Sequence, residues 1–166
     1  AIDYYDKALK IDLVALGENH IKVAIDYNNL GAASAALGDS KKAIEYYSKA
    51  LQIDLKVFGE NHPDVATDYN NIGAAWDILG ESKKAIDYYN KAIQIDSSAF
   101  GENHPNVGIS YNNLGAAWDN LGESEKAIEH YSKAFEIFTS VYGDDHPSTL
   151  EVQSNLDDVR AKQTVP

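Results

Sequence analysis

The sequence predicts an all-α fold, a right-handed α-solenoid of stacked antiparallel helix pairs with about eight helices. Three observations carry this. Tyr69–Pro105 reads YNNIGAAWDILGESKKAIDYYNKAIQIDSSAFGENHP, and a 42-residue step back to Tyr27 or forward to Tyr111 brings up nearly the same text. Residues 26–67 and 68–109 agree at 28 of 42 positions, which rules out coincidence. A fixed period of this length marks an array whose units bury their apolar faces only against neighbours. Within each unit the apolar spacing is helical: Val65, Tyr69, Ile72 and Trp76 fall at i, i+4, i+7 and i+11. Glycine punctuates the pattern at two phases, at 17, 59, 101 and 143 and at 38, 80 and 122, as left-handed helix stops would.

Taken in order, residues 1–20 match the second helix of a unit and its exit turn, because Ala1, Tyr5 and Ala8 fall 42 residues before Ala43, Tyr47 and Ala50. The first helix of that unit is missing, and the chain starts without Met, so it reads as a piece of a longer protein. Three full hairpins follow at 21–62, 63–104 and 105–146. Their first helices are expected at 21–37, 63–79 and 105–121, and their second helices at 40–58, 82–100 and 124–142. Pro63, Pro105 and Pro147 suit a first helical position, where a missing N–H is no loss, and Ile21 stands there in the first unit. Ser40, Ser82 and Ser124 are placed to cap the second helices. Residues 147–166 form a capping helix, with AKQTVP fraying. There Gln153, Asp157 and Arg160 replace Tyr, Gly and Trp, as a terminal unit requires.

Composition narrows the function. A net charge of −12 disfavours nucleic acid and anionic membrane surfaces, since both are held by Lys and Arg, and it favours a neutral or basic partner. No apolar run is long enough to span a membrane and no signal peptide layout opens the chain, so the cytoplasm is the default location. Cysteine is absent, which removes disulfides and thiolate metal sites. No nucleophile–base pair, phosphate-cradling glycine loop or zinc spacing is present, and neither catalysis nor a cofactor is expected.

The hairpin resembles the tetratricopeptide repeat, with its W-x2-L-G-x2-Y pattern followed by Ala, Phe and Ala. The matching residues are Tyr69, Ile72, Gly73, Trp76, Ala85, Tyr89 and Ala92, then Tyr111, Leu114, Gly115, Trp118, Ala127, Tyr131 and Ala134. The earlier unit gives Tyr27, Leu30, Gly31, Ser34, Ala43, Tyr47 and Ala50, and the family's Pro after the second helix is replaced by Leu55, Ser97 and Thr139. The period and the GENHP turn resemble the kinesin-light-chain type of repeat. The resemblance implies a fold for protein recognition, not a particular function.

It also implies candidate binding residues. In such repeats the first Asn of the pairs Asn28/Asn29, Asn70/Asn71 and Asn112/Asn113 faces the concave groove, where an amide both donates to and accepts from an extended peptide. The competing reading has one Asn of each pair bonding adjacent helices. Asp77, Asp119 and Asn120 fall further along the same face and would favour Lys or Arg in a ligand. The family's basic clamp for a chain-terminal carboxylate has no counterpart, since Ile25, Thr67, Ile109 and Ala74 stand at the matching positions.

His20, His62, His104 and His146 lie one per turn, too few in any one place for a metal, and are expected to mark helix entries. His130 replaces a Tyr and is expected to be half-exposed. Trp76, Trp118, Tyr47, Tyr89 and Tyr131 are assigned to packing. The leading expectation is a non-enzymatic module that binds an extended peptide or a helix of a partner in its groove. The alternative is a scaffold that self-associates as a homodimer through the exposed face of helix 1–16 containing Tyr5 and Leu9.

Overall fold

The computed structural model describes residues 2–164, so Ala1, placed at the Ala43 phase, and Val165 and Pro166 of the tail lie outside the described residues. Eight helices make up the described part: α1 (Ile2–Leu16), α2 (Ile21–Ala36), α3 (Ser40–Phe58), α4 (Pro63–Ile78), α5 (Ser82–Phe100), α6 (Pro105–Asn120), α7 (Ser124–Tyr142) and α8 (Pro147–Thr164). The second helices α3, α5 and α7 have the predicted bounds, and the first helices α2, α4 and α6 end one residue earlier. Residues 161–164, expected to fray, continue α8.

Backbone chemistry sets these limits. Gly59 at φ 83° and Gly80 at φ 79° take the left-handed conformation that ends a helix without a Cβ clash. Past Gly38 and Gly80 the chain closes with a bond across five residues, from Asp39 N–H to the Ser34 carbonyl at 2.9 Å and from Glu81 N–H to the Trp76 carbonyl at 3.0 Å. The residue straight after the glycine is therefore the cap of the next helix. Asp39 fills that place, accepting from Lys42 N–H at 3.1 Å, while Glu81 and Glu123 hold it without a side-chain bond to the helix backbone. This corrects the expectation for Ser40, Ser82 and Ser124, which lie inside the first helical turn. Ser82 is buried and donates to Asp77 instead.

Each helix packs on the next, within hairpins (α2 on α3, α4 on α5, α6 on α7) and between them (α3 on α4, α5 on α6). The tightest fit in each hairpin is a ring against a glycine. Tyr47, Tyr89 and Tyr131 are buried, and a Cβ built on Gly73 would stand 2.8 Å from Tyr89 Cε1. Trp76 and Trp118 are half-buried rather than full core knobs, each with a lysine over its ring: Lys84 at 4.2 Å and Lys126 at 4.1 Å.

First helices of successive hairpins also meet directly, α4 with α6 and α6 with α8, while successive second helices make no comparable approach. The array therefore curves with the first helices on its inner side.

The ends differ from expectation in one respect. Leu9 is buried and Tyr5 half-buried, both packed with Val23, Ala24 and Leu30 of α2, so their face is not the unpaired one. The exposed large apolar residues of α1 are Tyr4, Ile11, Val14 and, at its end, Leu16. Tyr4 and Ile11 stand 42 residues before Tyr46 and Ile53, which pack against α2 in the next unit. A helix covers its own first helix with one stripe and the following unit with another, and only the second stripe of α1 is occupied. At the other end α8 buries Val152, Leu156 and Val159 on α7 and turns Gln153, Asp157 and Arg160 outward.

Candidate functional site

The inner face is a set of stripes, one residue per repeat at each level. The N-terminal level carries Lys22, Asp64 and Asn106, and the next Ile25, Thr67 and Ile109. Below them come Asn29, Asn71 and Asn113, then the small residues Ala32, Ala74 and Ala116. Ile25, Thr67 and Ile109 are exposed, and the asparagines are half-exposed. The side chains of Asn29, Asn71 and Asn113 make no hydrogen bond within the described residues, so their amides are uncommitted.

The first asparagine of each pair faces elsewhere. Asn28 donates its amide N–H to Asp68 Oδ1 at 2.7 Å, and Asn70 donates to Ser110 Oγ at 2.6 Å. Asn112 accepts from Asn155 at 3.2 Å. Each bond ties one first helix to the next, so these three residues stitch the inner seam. A rotation of about 100° per residue separates the two members of a pair, enough to turn one into the seam and the other onto the open face. The acidic end is also engaged. Asp77 accepts from Ser82 and, at 3.0 Å, from Asn120, while Asp119 accepts both oxygens' bonds from Lys162 at 2.9 and 2.7 Å. The structure thus brings Asp77 and Asn120 together across α4 and α6.

Behind the inner face lies a row of acids that the sequence reading missed. Asp26, Asp54, Asp68 and Asp96 are all buried, at 8%, 2%, 0% and 2% exposure. They belong to one repeated pair, fourteen residues apart, joining a second helix to the following first helix: Asp12 with Asp26, Asp54 with Asp68, Asp96 with Ser110, and Phe138 with Val152. The signal available was the acid ending KID, QID and QID in three successive second helices.

Two carboxyl groups can hydrogen-bond only if one keeps its proton. Asp68 keeps it. Burial, with the neighbouring charges of Asp54 and Asp64 adding to it, pushes its carboxyl up to about 8 against the opposing bond from Asn28. Asp54 is also raised by burial, and its bond to Asp68 works the other way, as expected of the acceptor. Burial likewise raises Asp96, with His104 and Asn106 pulling down.

A cavity of about 220 Å³ opens on the inner face between α4 and α6, lined by Thr67, Asn70, Asn71, Asp96, Asn106 and Ile109. Asp96 Oδ1 and Asn70 Oδ1 are buried there without a hydrogen-bond partner among the described residues.

The histidines sit at helix entries. Nδ1 of His20, His62, His104 and His146 accepts at 3.2 Å from the N–H two residues on. Three of the rings stack on the aromatic that ends the preceding helix, His62 on Phe58 at 4.0 Å, His104 on Phe100 and His146 on Tyr142 both at 4.3 Å. Half-buried His130 stacks on Tyr111, and burial lowers its pKa. Among the described residues no three His, Asp or Glu side chains converge as metal ligands, and no helix is long and apolar enough to cross a membrane.

Hairpins stacked at a fixed period, with one helix of each lining a continuous face, define a helical-repeat solenoid. The tetratricopeptide repeat model matches residues 1–56, 27–98 and 119–163, most of the sequence, and the chain belongs to that family. A family of this kind makes the chain a protein-interaction module. A comparison with curated proteins gives no match.

Among solved structures, BtubC (BKLC) from P. vanneervenii is similar over 98% of this chain and 65% of its own, at 21% identity and a TM-score of 0.82. A putative kinesin light chain of Podosopora anserina with nearly identical TPR-like repeats covers 98% of this chain and 76% of its own, at 20% identity and a TM-score of 0.82. RapI in its apo form gives 22% identity and a TM-score of 0.84 over 98% of this chain and 57% of its own. The chain thus spans about two thirds of the BtubC chain and little more than half of RapI. These likenesses establish the fold.

Proposed function

We propose that the inner face binds an extended segment of a partner protein, with the amides of Asn29, Asn71 and Asn113 addressing the segment's backbone. The observation that carries this reading is the row itself: one uncommitted amide per repeat, at one level, on a face held in place before any ligand arrives. Pre-ordering lowers the entropic cost of capture. An amide offers both a donor and acceptors, so each can pair with either backbone group, and recognition through backbone tolerates many sequences. Ile25 and Ile109 supply apolar contact beside the amides. The net charge favours a partner segment that is neutral to basic.

Asn28, Asn70 and Asn112 serve this function from the seam, by fixing the spacing of the row. The self-associating alternative would have to use Tyr4, Ile11 and Val14, the stripe of α1 that is exposed.

The test is a peptide selected on the chain from a random display library. Replacing Asn29, Asn71 and Asn113 together by Ala should weaken its binding by at least about tenfold, as the loss of several hydrogen bonds implies. The melting temperature should barely move, because these side chains support nothing else. Unchanged affinity would contradict the reading.

A further inference from the structure

The four acid-pair positions are not equivalent, and the third is the odd one. At the first and second an acid faces an acid, Asp12 with Asp26 and Asp54 with Asp68, so one retained proton can bridge carboxyl oxygens that otherwise lie buried without a donor, Asp26 Oδ2, Asp54 Oδ1 and Asp68 Oδ2. At the fourth, Phe138 and Val152 fill the place with hydrocarbon, both buried in one apolar cluster. At the third, Asp96 stays acidic and 2% exposed, but Ser110 stands where Asp68 stood. Ser110 accepts from Asn70 and donates to the Asn106 carbonyl at 3.1 Å, which commits its hydroxyl. Asp96 Oδ1 is therefore left over, and so is Asn70 Oδ1, whose amide nitrogen alone is used. Both residues line the cavity between α4 and α6, whose rim is formed by Thr67, Asn71, Asn106 and Ile109 on the inner face. Thr67 has already given its hydroxyl proton to the Pro63 carbonyl, so it too can only accept.

The leftover groups share one chemistry: they are oxygens that accept, and one belongs to an acid. Buried acceptors without donors are costly, and the group that relieves them must bring N–H bonds and preferably a positive charge. We propose that this cavity is a recognition pocket for one basic side chain, lysine or arginine, of the partner segment. The pocket deepens the groove reading above and rests on it. Its position beside Asn71 sets the register, since the backbone of a segment held by the amide row passes the cavity mouth. The pocket supplies the sequence preference that backbone recognition lacks. In the preceding seam Asn28 Oδ1 is also buried without a partner, but Asp68 and Asp54 can share a proton there, whereas Asp96 has no carboxyl opposite it.

The experiment uses peptides selected from the same random display library. One position should be enriched in Lys or Arg, and changing that residue to Met in a selected peptide should cost at least about tenfold in affinity, the low end for a buried charge left unpaired. Asp96→Asn, which keeps shape and removes charge, should bind the two peptides about equally. Circular dichroism should show unchanged helicity.

Selected peptides without a basic preference, or a Met peptide that binds as well, would overturn the pocket and leave the groove standing. If no peptide is selected the groove reading falls, and a titration with n-butylguanidinium decides the pocket by itself. Amide shifts confined to Asn70, Asn71, Asn106 and Ile109, and lost in Asp96→Asn, would support it. Their absence would overturn it.

Discussion

Gly73→Ala should lower the melting temperature by up to about 8 °C, although the same change on an open helix surface stabilises by up to about 1 kcal/mol. The sign reverses because of one contact. The added Cβ would lie 2.8 Å from Cε1, 3.0 Å from Cδ1 and 3.2 Å from Cζ of Tyr89. Tyr89 is 2% exposed and packs with Ala85, Leu114 and Ala117, so its ring has nowhere to retreat. Overpacking of this kind costs about 1–3 kcal/mol, more than helix propensity returns. Gly31 and Gly115 face Tyr47 and Tyr131 in the same way, so the prediction extends to each hairpin. Thermal unfolding followed by circular dichroism checks it. A Gly73→Ala variant as stable as the parent would mean that the ring does not depend on the missing Cβ.

The second large effect is on the response to pH. The parent should lose stability as pH rises from about 4 to about 8 and level off above, whereas Asp68→Asn should be flatter over the same range. Asp68 in the folded chain holds its proton up to about 8, and in the unfolded chain it releases it near its ordinary value of 3.8. Across that window the folded state binds the extra proton, so each pH unit costs up to about 1.4 kcal/mol. For a chain of this length that corresponds to a melting temperature falling by up to about 3–6 °C per unit. Asn at position 68 keeps an oxygen for the Asn28 amide and offers N–H to Asp54, which can then remain ionised. Asp64 and His62 also lie near the pair, but they are present in both proteins and cancel in the difference, which reports Asp68 together with its partner Asp54. Parallel pH profiles for parent and variant would contradict the shared proton.

Much of the architecture was legible because its punctuation is chemical. Only glycine readily takes the left-handed turn at φ near 80°, and proline marks helix entries without loss, so 42-residue copies of both delimit the hairpins. The misreadings share a cause: a polar residue's direction is not written in its identity. In Tyr-Asn-Asn both amides are equally suited to groove or seam, and only the packed first helices show that Asn28 and Asn70 are spent on Asp68 and Ser110. Ser82 looked like a cap, but the left-handed Gly80 makes Glu81 the cap and leaves Ser82 to bond Asp77.

The buried acids were hidden for the same reason. An Asp in KID or QID reads as a surface charge until a second helix covers it, and its partner lies fourteen residues away in another hairpin. Tyr5 and Leu9 read as an open face in the sequence, and only the packing shows that α2 covers their stripe.

The most direct test of the central claim is to map a selected peptide onto the ¹⁵N-labelled chain by NMR. Shifts should run along the inner face, at Asn29, Asn71, Asn113 and Ile109, with the outer helices quiet. Shifts centred instead on Glu45, Asp87 and Glu129 of the second helices, or on Tyr4 and Val14 of α1, would contradict it.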